Sequence, residues 1–172
     1  ENLVFIKKLD SLAEWKTYVS LGINVQQPKD IATVVTSYRL KNLFQKMVRL
    51  REYGDSLPLP IGQRYFVSLI YKPDLIIPEK ATLMSVEFTF VRSTGGEKFG
   101  VILGTGGKEV YSVGAGDLED NAFKTSNLID VSNYSGKKTL VSLRFYGDED
   151  INGKDGGGSL ILKNIKFYKS KA

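Results

Sequence analysis

The chain predicts an all-β, antiparallel sandwich, on three observations. Apolar and polar residues alternate with a period of two through most of the chain beyond residue 82. Most of the 17 glycines fall between those alternating stretches, where turns need them. A hydrophobic content of 42%, of which aromatics are 11% of the chain, is enough to fill a core between two sheets. Many short strands with turn signals between them read as a sandwich rather than as a layered α/β fold. With 172 residues, one domain spanning 1–172 is expected.

Near the start, Trp15, Thr17, Val19 and Leu21 alternate and predict a strand over Glu14–Leu21. Ile31–Thr36 is β-branched and predicts another. Residues 38–52 support two readings. Leu40, Leu43, Phe44, Met47 and Leu50 follow helical spacing and allow one short helix, whereas Lys46–Arg51 also fits a strand. Leu57-Pro58-Leu59-Pro60 is extended in either case. In Thr82–Val91 one face carries Met84, Val86, Phe88 and Phe90, and the other Ser85, Glu87 and Thr89. Ser93–Gly96 has hairpin-turn composition, Phe99–Leu103 reads as the return strand, and Val110–Val113 as a third strand after a second turn at 104–107. An antiparallel meander is therefore expected. Thr139, Val141, Leu143 and Phe145 repeat the alternation, and after a polar loop Leu160–Tyr168 supplies the last strand.

The apolar runs at Leu69–Tyr71 and Leu75–Ile77 are broken by Pro73 and Pro78 and fall far short of a membrane span. Asn2–Ile6 is too short for a signal core. A chain that begins with Glu1 is expected to have lost an upstream segment. The net charge of +5 is uneven. Basic residues lead 11 to 6 over residues 1–72, acidic ones 9 to 5 over 73–136, and basic ones 8 to 4 thereafter, a distribution that permits contact between copies or with an anionic partner.

Histidine and cysteine are both absent, which excludes disulfides and Ser-His-Asp or Cys-His catalysis. The glycine-rich turn at 104–107 lacks the Gly-Lys-Ser/Thr of a phosphate loop. An enzyme is not expected. Asp148, Asp150 and Asn152, with Gly153, the Lys154 carbonyl and Asp155, match part of a calcium-wrapping loop. Ser159 stands where such a loop places its bidentate Glu, and a plain polar loop tip is the other reading. Calcium is the only cofactor the sequence offers. Asp117, Glu119 and Asp120 form a second acidic loop. Trp15, Tyr18, Tyr38, Tyr53 and Tyr71 are the candidate platform for stacking sugar rings, with Trp15 as a core anchor and the Tyr residues at sheet margins as the other reading. Lys41–Arg51 has basic residues but no stacking series, so nucleic acid is not expected.

In order along the chain, several segments carry a resemblance. Leu12–Leu21 bears its Trp and is followed by Pro28. Met47–Asp55 is followed by Pro60, and Pro78 precedes the strand Met84–Phe90. Glycine turns then flank Phe99–Leu103, Val110–Gly114 follows, Phe123-Lys124 stands where a Trp-Lys pair would, and Gly156–Tyr168 closes the chain. This succession resembles the outer-layer (sheath) proteins of spirochaete flagellar filaments, the FlaA type, as a distant or auxiliary member. The closing segments are also similar to carbohydrate-binding jelly rolls. The first resemblance implies a jelly-roll sandwich, a strand at Met47–Arg51 and a non-enzymatic structural protein of the periplasmic flagellar sheath, exported after signal-peptide removal. It would pack on the core filament or on other sheath proteins. Lys41, Lys46, Arg49 and Arg51, with Asp117, Glu119 and Asp120, would make the contacts. The second implies a carbohydrate-binding module of a secreted protein, with a glycan partner on the Trp15 and Tyr set.

Overall fold

Alternation decides which residues turn inward, and long-range pairing decides which strands meet. The computed structural model describes residues 2–19, 32–36, 46–51, 66–71, 75–93, 95–104, 107–120, 122–147 and 158–171. The strands are β1 (Asn2–Lys8), β2 (Trp15–Val19), β3 (Ala32–Val35), β4 (Met47–Arg51), β5 (Phe66–Tyr71), β6 (Leu75–Ile76) and β7 (Leu83–Val91). They continue as β8 (Lys98–Leu103), β9 (Lys108–Gly114), β10 (Lys124–Thr125), β11 (Ile129–Asp130), β12 (Lys138–Thr139), β13 (Val141–Tyr146) and β14 (Ser159–Lys169). Two short 3-10 turns, Ala115–Asp117 and Ser132–Tyr134, complete the described elements, and no α-helix occurs among the described residues.

Two antiparallel sheets face each other in a jelly-roll sandwich. The seven-stranded sheet runs β10-β7-β14-β4-β3, with β1 added on β14 and β11 on β7. The five-stranded sheet runs β2-β5-β13-β8-β9, and β6 and β12 form a small separate pair. Met47–Arg51 is a strand, as the sheath resemblance implied, and residues 38–45 and 52 of the alternative helix lie outside the described residues.

The expected meander is corrected. β7 pairs with β14, β10 and β11, whereas β8 pairs with β13 and β9. β7 and β8 therefore lie in opposite sheets instead of closing a hairpin. Arg92 (φ 54) and Gly95 (φ 100) adopt the left-handed backbone that this change of direction requires. Asp120 holds the crossing, accepting hydrogen bonds from the Ser93 backbone N–H (2.9 Å) and hydroxyl (2.7 Å). Likewise β13 and β14 lie in opposite sheets and do not pair.

The crossings follow from the core. Phe88 of β7 meets Phe99 of β8 with ring centroids 4.7 Å apart, and Phe90 meets Phe145 of β13 at 6.3 Å. Had β7 and β8 formed a hairpin, these rings would share one sheet face and leave the opposite side of the core empty. All four are essentially fully buried, together with Leu160, Leu162, Ile165 and Phe167 of β14. Each such side chain contributes about 1.5–3 kcal/mol through removal from water.

A polar clasp joins the sheets along one side. Lys7 of β1 donates to Glu14 Oε1 (2.6 Å), and the Tyr71 hydroxyl of β5 donates to Glu14 Oε2. The Lys7 ammonium also lies 5.1 Å from the centre of the Tyr71 ring. Hydrogen bonds from Lys7 and then Tyr71 hold the Glu14 carboxyl below its ordinary pKa. Burial alone would lower Lys7, but its bonds to Glu14 and Tyr71 outweigh that and raise it.

Truncating Phe88 to Ala is expected to lower the unfolding free energy by about 3–5 kcal/mol, read from the urea midpoint. The clasp predicts a pH effect of known sign. A carboxyl lowered in the fold stabilises above its unfolded pKa, and that stability is lost as pH falls through its folded pKa. Glu14→Gln should therefore melt below the wild type at neutral pH, with a gap that closes in acid. Glu14 is 53% exposed, so the gap corresponds to roughly half a kcal/mol. A gap that persists at strongly acid pH would show that the clasp acts through shape and not charge.

Candidate functional site on the outer face of the five-stranded sheet

Strand β13 runs through the middle of the five-stranded sheet. Val141, Leu143 and Phe145 point into the core, so Ser142, Arg144 and Tyr146 point outward. Register then fixes their neighbours. Tyr18 pairs with Ser68, Ser68 with Arg144, Arg144 with Gly100, and Gly100 with Ser112. This cross-strand row spans four strand spacings, about 19 Å. Tyr18 stands at one end, 56% exposed. Ser68 and Gly100, on either side of Arg144, are small and buried, so the guanidinium and the two Tyr rings supply the relief of this face.

Around Arg144 the polar groups are bonded to one another. Its Nε donates to the Ser68 hydroxyl (2.9 Å) and its Nη1 reaches the Tyr146 hydroxyl (3.4 Å). That hydroxyl donates to Glu109 Oε2 (2.8 Å), and Lys98 Nζ lies 3.7 Å from Glu109 Oε1. Lys98 and Arg144 sit 5.6 and 5.8 Å from the centre of the Tyr146 ring. Gly100 makes room for this bonding. A Cβ there would lie 3.0 Å from Glu109 Oε2 and 3.4 Å from Tyr146 Cε2. Burial, reinforced by the bond to Glu109 and opposed by Arg144, raises the Tyr146 pKa, so the phenol stays a protonated donor at neutral pH. The cluster sets a donor-rich guanidinium, a carboxylate acceptor and aromatic ring faces side by side. That combination suits a ligand carrying many hydroxyl groups and apolar ring faces.

The residues expected from the sequence are distributed differently. Trp15 is 4% exposed and packs edge-on against Tyr71, with ring centroids 5.0 Å apart. Tyr71 is 7% exposed and its hydroxyl is committed to Glu14. Neither offers a ring face to a sugar, because both lie on inward positions of β2 and β5. Tyr18, on an outward position, is exposed and is the member of that set, among the described residues, that presents its ring to solvent. Tyr38 and Tyr53 lie outside the described residues, as do Lys41 and the loop holding Asp148, Asp150, Asn152, Lys154 and Asp155. Among the described residues no cluster of acidic side chains could hold a metal ion. Lys46 is exposed just before β4, and Arg49 and Arg51 are half-buried on the outer side of the seven-stranded sheet. Asp117 and Glu119 are exposed, whereas Asp120 is half-buried in its bonds to Ser93.

Arg144, Tyr146, Glu109, Lys98, Ser68 and Gly100 were not among the sequence candidates. The signal available was the polar face of the β13 alternation, Ser142-x-Arg144-x-Tyr146. Nothing local shows that β13 occupies the middle of a sheet.

No family model and no curated protein sequence matches the chain. Solved structures do. The carbohydrate-binding module TmCBM61, solved with β-1,4-galactotriose, superposes with a TM-score of 0.53 at 14% identity, over 94% of this chain and 92% of that one. The family 11 carbohydrate-binding module of Clostridium thermocellum, solved with a β-1,3-1,4-mixed-linked tetrasaccharide, gives 0.51 at 18% identity over 99% and 98%. The K2 cleaved adhesin domain of Lys-gingipain gives 0.58 at 15% identity over 96% and 98%. The flagellar part of the sheath resemblance finds no support in these comparisons.

The geometry makes Gly100 testable. Gly100→Val should destabilise the protein by about 1–3 kcal/mol through overpacking. Adding Glu109→Ala should recover part of that loss in a double-mutant cycle. Strict additivity would mean that Glu109 does not occupy the space over Gly100. At identities this low the likenesses establish one thing, that the chain has the β-sandwich fold these modules and adhesin domains share.

Proposed function

We propose that the chain is a carbohydrate-binding module that takes an oligosaccharide or polysaccharide segment across the outer face of its five-stranded sheet. The observation that carries this reading is the bonded cluster of Arg144, Tyr146 and Glu109 in one outward patch, with the exposed ring of Tyr18 two strands away. The fold likeness to modules solved with a galactotriose and a mixed-linked tetrasaccharide supports it. In this reading Tyr18 stacks on a sugar ring, Arg144 donates to hydroxyl or ring oxygens, and Glu109 accepts from a neighbouring hydroxyl. Groups already bonded to each other lose little freedom when the ligand arrives, which favours affinity. The reading assigns the domain binding and no bond-breaking step.

Native affinity electrophoresis through gels containing soluble polysaccharides, including β-1,4-galactan and mixed-linkage β-glucan, tests it. Retardation by at least one polysaccharide is expected. Arg144→Ala and Tyr18→Ala should each weaken binding about tenfold or more with the circular dichroism spectrum unchanged. No retardation across a broad panel would overturn carbohydrate binding. Retardation that neither substitution alters would overturn the placement on this face.

A further inference from the structure

Strand β1 lies at an edge of the seven-stranded sheet, on the side of the molecule away from the proposed sugar face. Among the described residues its strand partner is β14 alone. Four consecutive apolar side chains of β1 are open to solvent: Leu3 (51%), Val4 (38%), Phe5 (44%) and Ile6 (38%). An edge strand with apolar side chains exposes both a row of backbone hydrogen-bonding groups and the surface to cover them.

We propose that β1 pairs antiparallel with β1 of a second copy of this chain, joining two seven-stranded sheets about a two-fold axis between Val4 and Phe5. In that register Leu3 of each copy faces Ile6 of the other, Val4 faces Phe5, and Asn2 faces Lys7. Facing residues must lie on the same side of the joined sheet, and residues three apart in a regular strand do not. The irregularity between Leu3 and Phe5 removes that conflict. Leu3 stands opposite Tyr168 and Ile6 opposite Lys166, and Tyr168 and Lys166 both alternate with the buried Phe167, so Leu3 and Ile6 share the outer side. Asn2, opposite Lys169, and Lys7, opposite Ile165, share the inner side. The Leu3–Ile6 and Asn2–Lys7 pairs thus match in side, and the Leu3–Ile6 and Val4–Phe5 pairs match in polarity.

Charge selects the same arrangement. A parallel pairing would place Lys7 and Lys8 beside their own copies. The antiparallel register sends each Lys pair to the opposite end of the strand, about 17 Å from its counterpart, next to the uncharged Asn2. This is a closed, self-complementary interface, which ends at a dimer and does not propagate. Backbone bonds supply affinity and the Leu3–Ile6 pairs supply register. Both five-stranded faces stay open in the dimer, so two ligand-binding faces would act together.

Sedimentation equilibrium of the whole chain across the micromolar range tests the proposal. The expected result is a concentration-dependent rise to twice the monomer mass. Ile6→Lys, which sets a charge against Leu3, should weaken the dimer about tenfold or more. The double variant Leu3→Glu/Ile6→Lys should restore it, because the introduced charges face each other across the axis. Leu3→Lys serves in place of Ile6→Lys if that variant fails to fold. A monomer at every concentration, a mass rising beyond two copies, or a double variant no stronger than Ile6→Lys would each overturn the pairing.

Discussion

Strand β14 carries more of this structure than any other element, because it supports neighbours along both edges at once. Along one edge it pairs with β7 from Ser159 to Tyr168. Along the other it is shared, with β4 taking residues 159–162 and β1 taking residues 164–169. A regular strand would turn residues three apart to opposite faces. Here the register shift between Leu162 and Asn164 lets Leu162 and Ile165 both enter the core. The shift therefore keeps one buried face continuous along eleven residues while the partner strand on one edge changes. A slip by one residue would expose Leu160, Leu162, Ile165 and Phe167 together, so the register is strongly specified. Similar irregularities occur in β1, between Leu3 and Phe5, and in the β8–β9 ladder, between Val101 and Ile102.

This also explains which parts of the fold could be read from the sequence. The inward set of β7, Met84, Val86, Phe88 and Phe90, was legible because period two reports burial directly. The partner of β7 was not, because alternation says which face is buried and nothing about which strand lies alongside. A turn of hairpin composition at 93–96 joined two strands in different sheets, since Phe99 had to meet Phe88 from across the core. β1 is not legible in the sequence because Leu3-Val4-Phe5-Ile6 is a continuous apolar run with no alternation. β5 was hidden for a related reason: Leu69-Ile70-Tyr71 shows no periodicity of its own, although Leu69 and Tyr71 turn inward and Ile70 outward. Trp15 and Tyr71 were credible as sugar platforms by residue type, and their inward positions exclude them. The candidate site was opaque for a deeper reason. It draws Ser68 from β5, Gly100 and Lys98 from β8, Glu109 from β9, and Arg144 and Tyr146 from β13, and only long-range pairing brings them together.

The two outer faces of the sandwich differ in kind, and the difference argues for where a ligand would sit. On the seven-stranded sheet Glu87 is surrounded by Lys163 (3.2 Å), Lys166 (4.0 Å) and the Asn164 amide (3.1 Å). Beside them Met47 and Ile161 are buried against Val35, Val91 and Phe123, and Lys163 lies 5.3 Å from the centre of the Phe123 ring. In this central part of the face the apolar groups are covered and Glu87 is ringed by cationic and amide donors. On the five-stranded sheet Glu109 has one lysine at 3.7 Å and a phenol, and the adjoining guanidinium is anchored through Nε. Tyr18 presents a ring nearby, on a strand position that the core leaves unused.

Gly100 is the residue on which that second face turns. A side chain at this position of β8 would stand between Arg144 and Ser112 and push Glu109 and Tyr146 apart. Glycine weakens a strand interior, since it adds no packing and loses the most backbone freedom on folding. Here it lies between β13 and β9, and no left-handed backbone requirement explains it. What the glycine secures is the close approach of a carboxylate, a phenol and a guanidinium on an outward surface that the core does not need. A strand that gives up stability to assemble polar groups on its solvent side is the physical mark of a surface shaped for something other than folding.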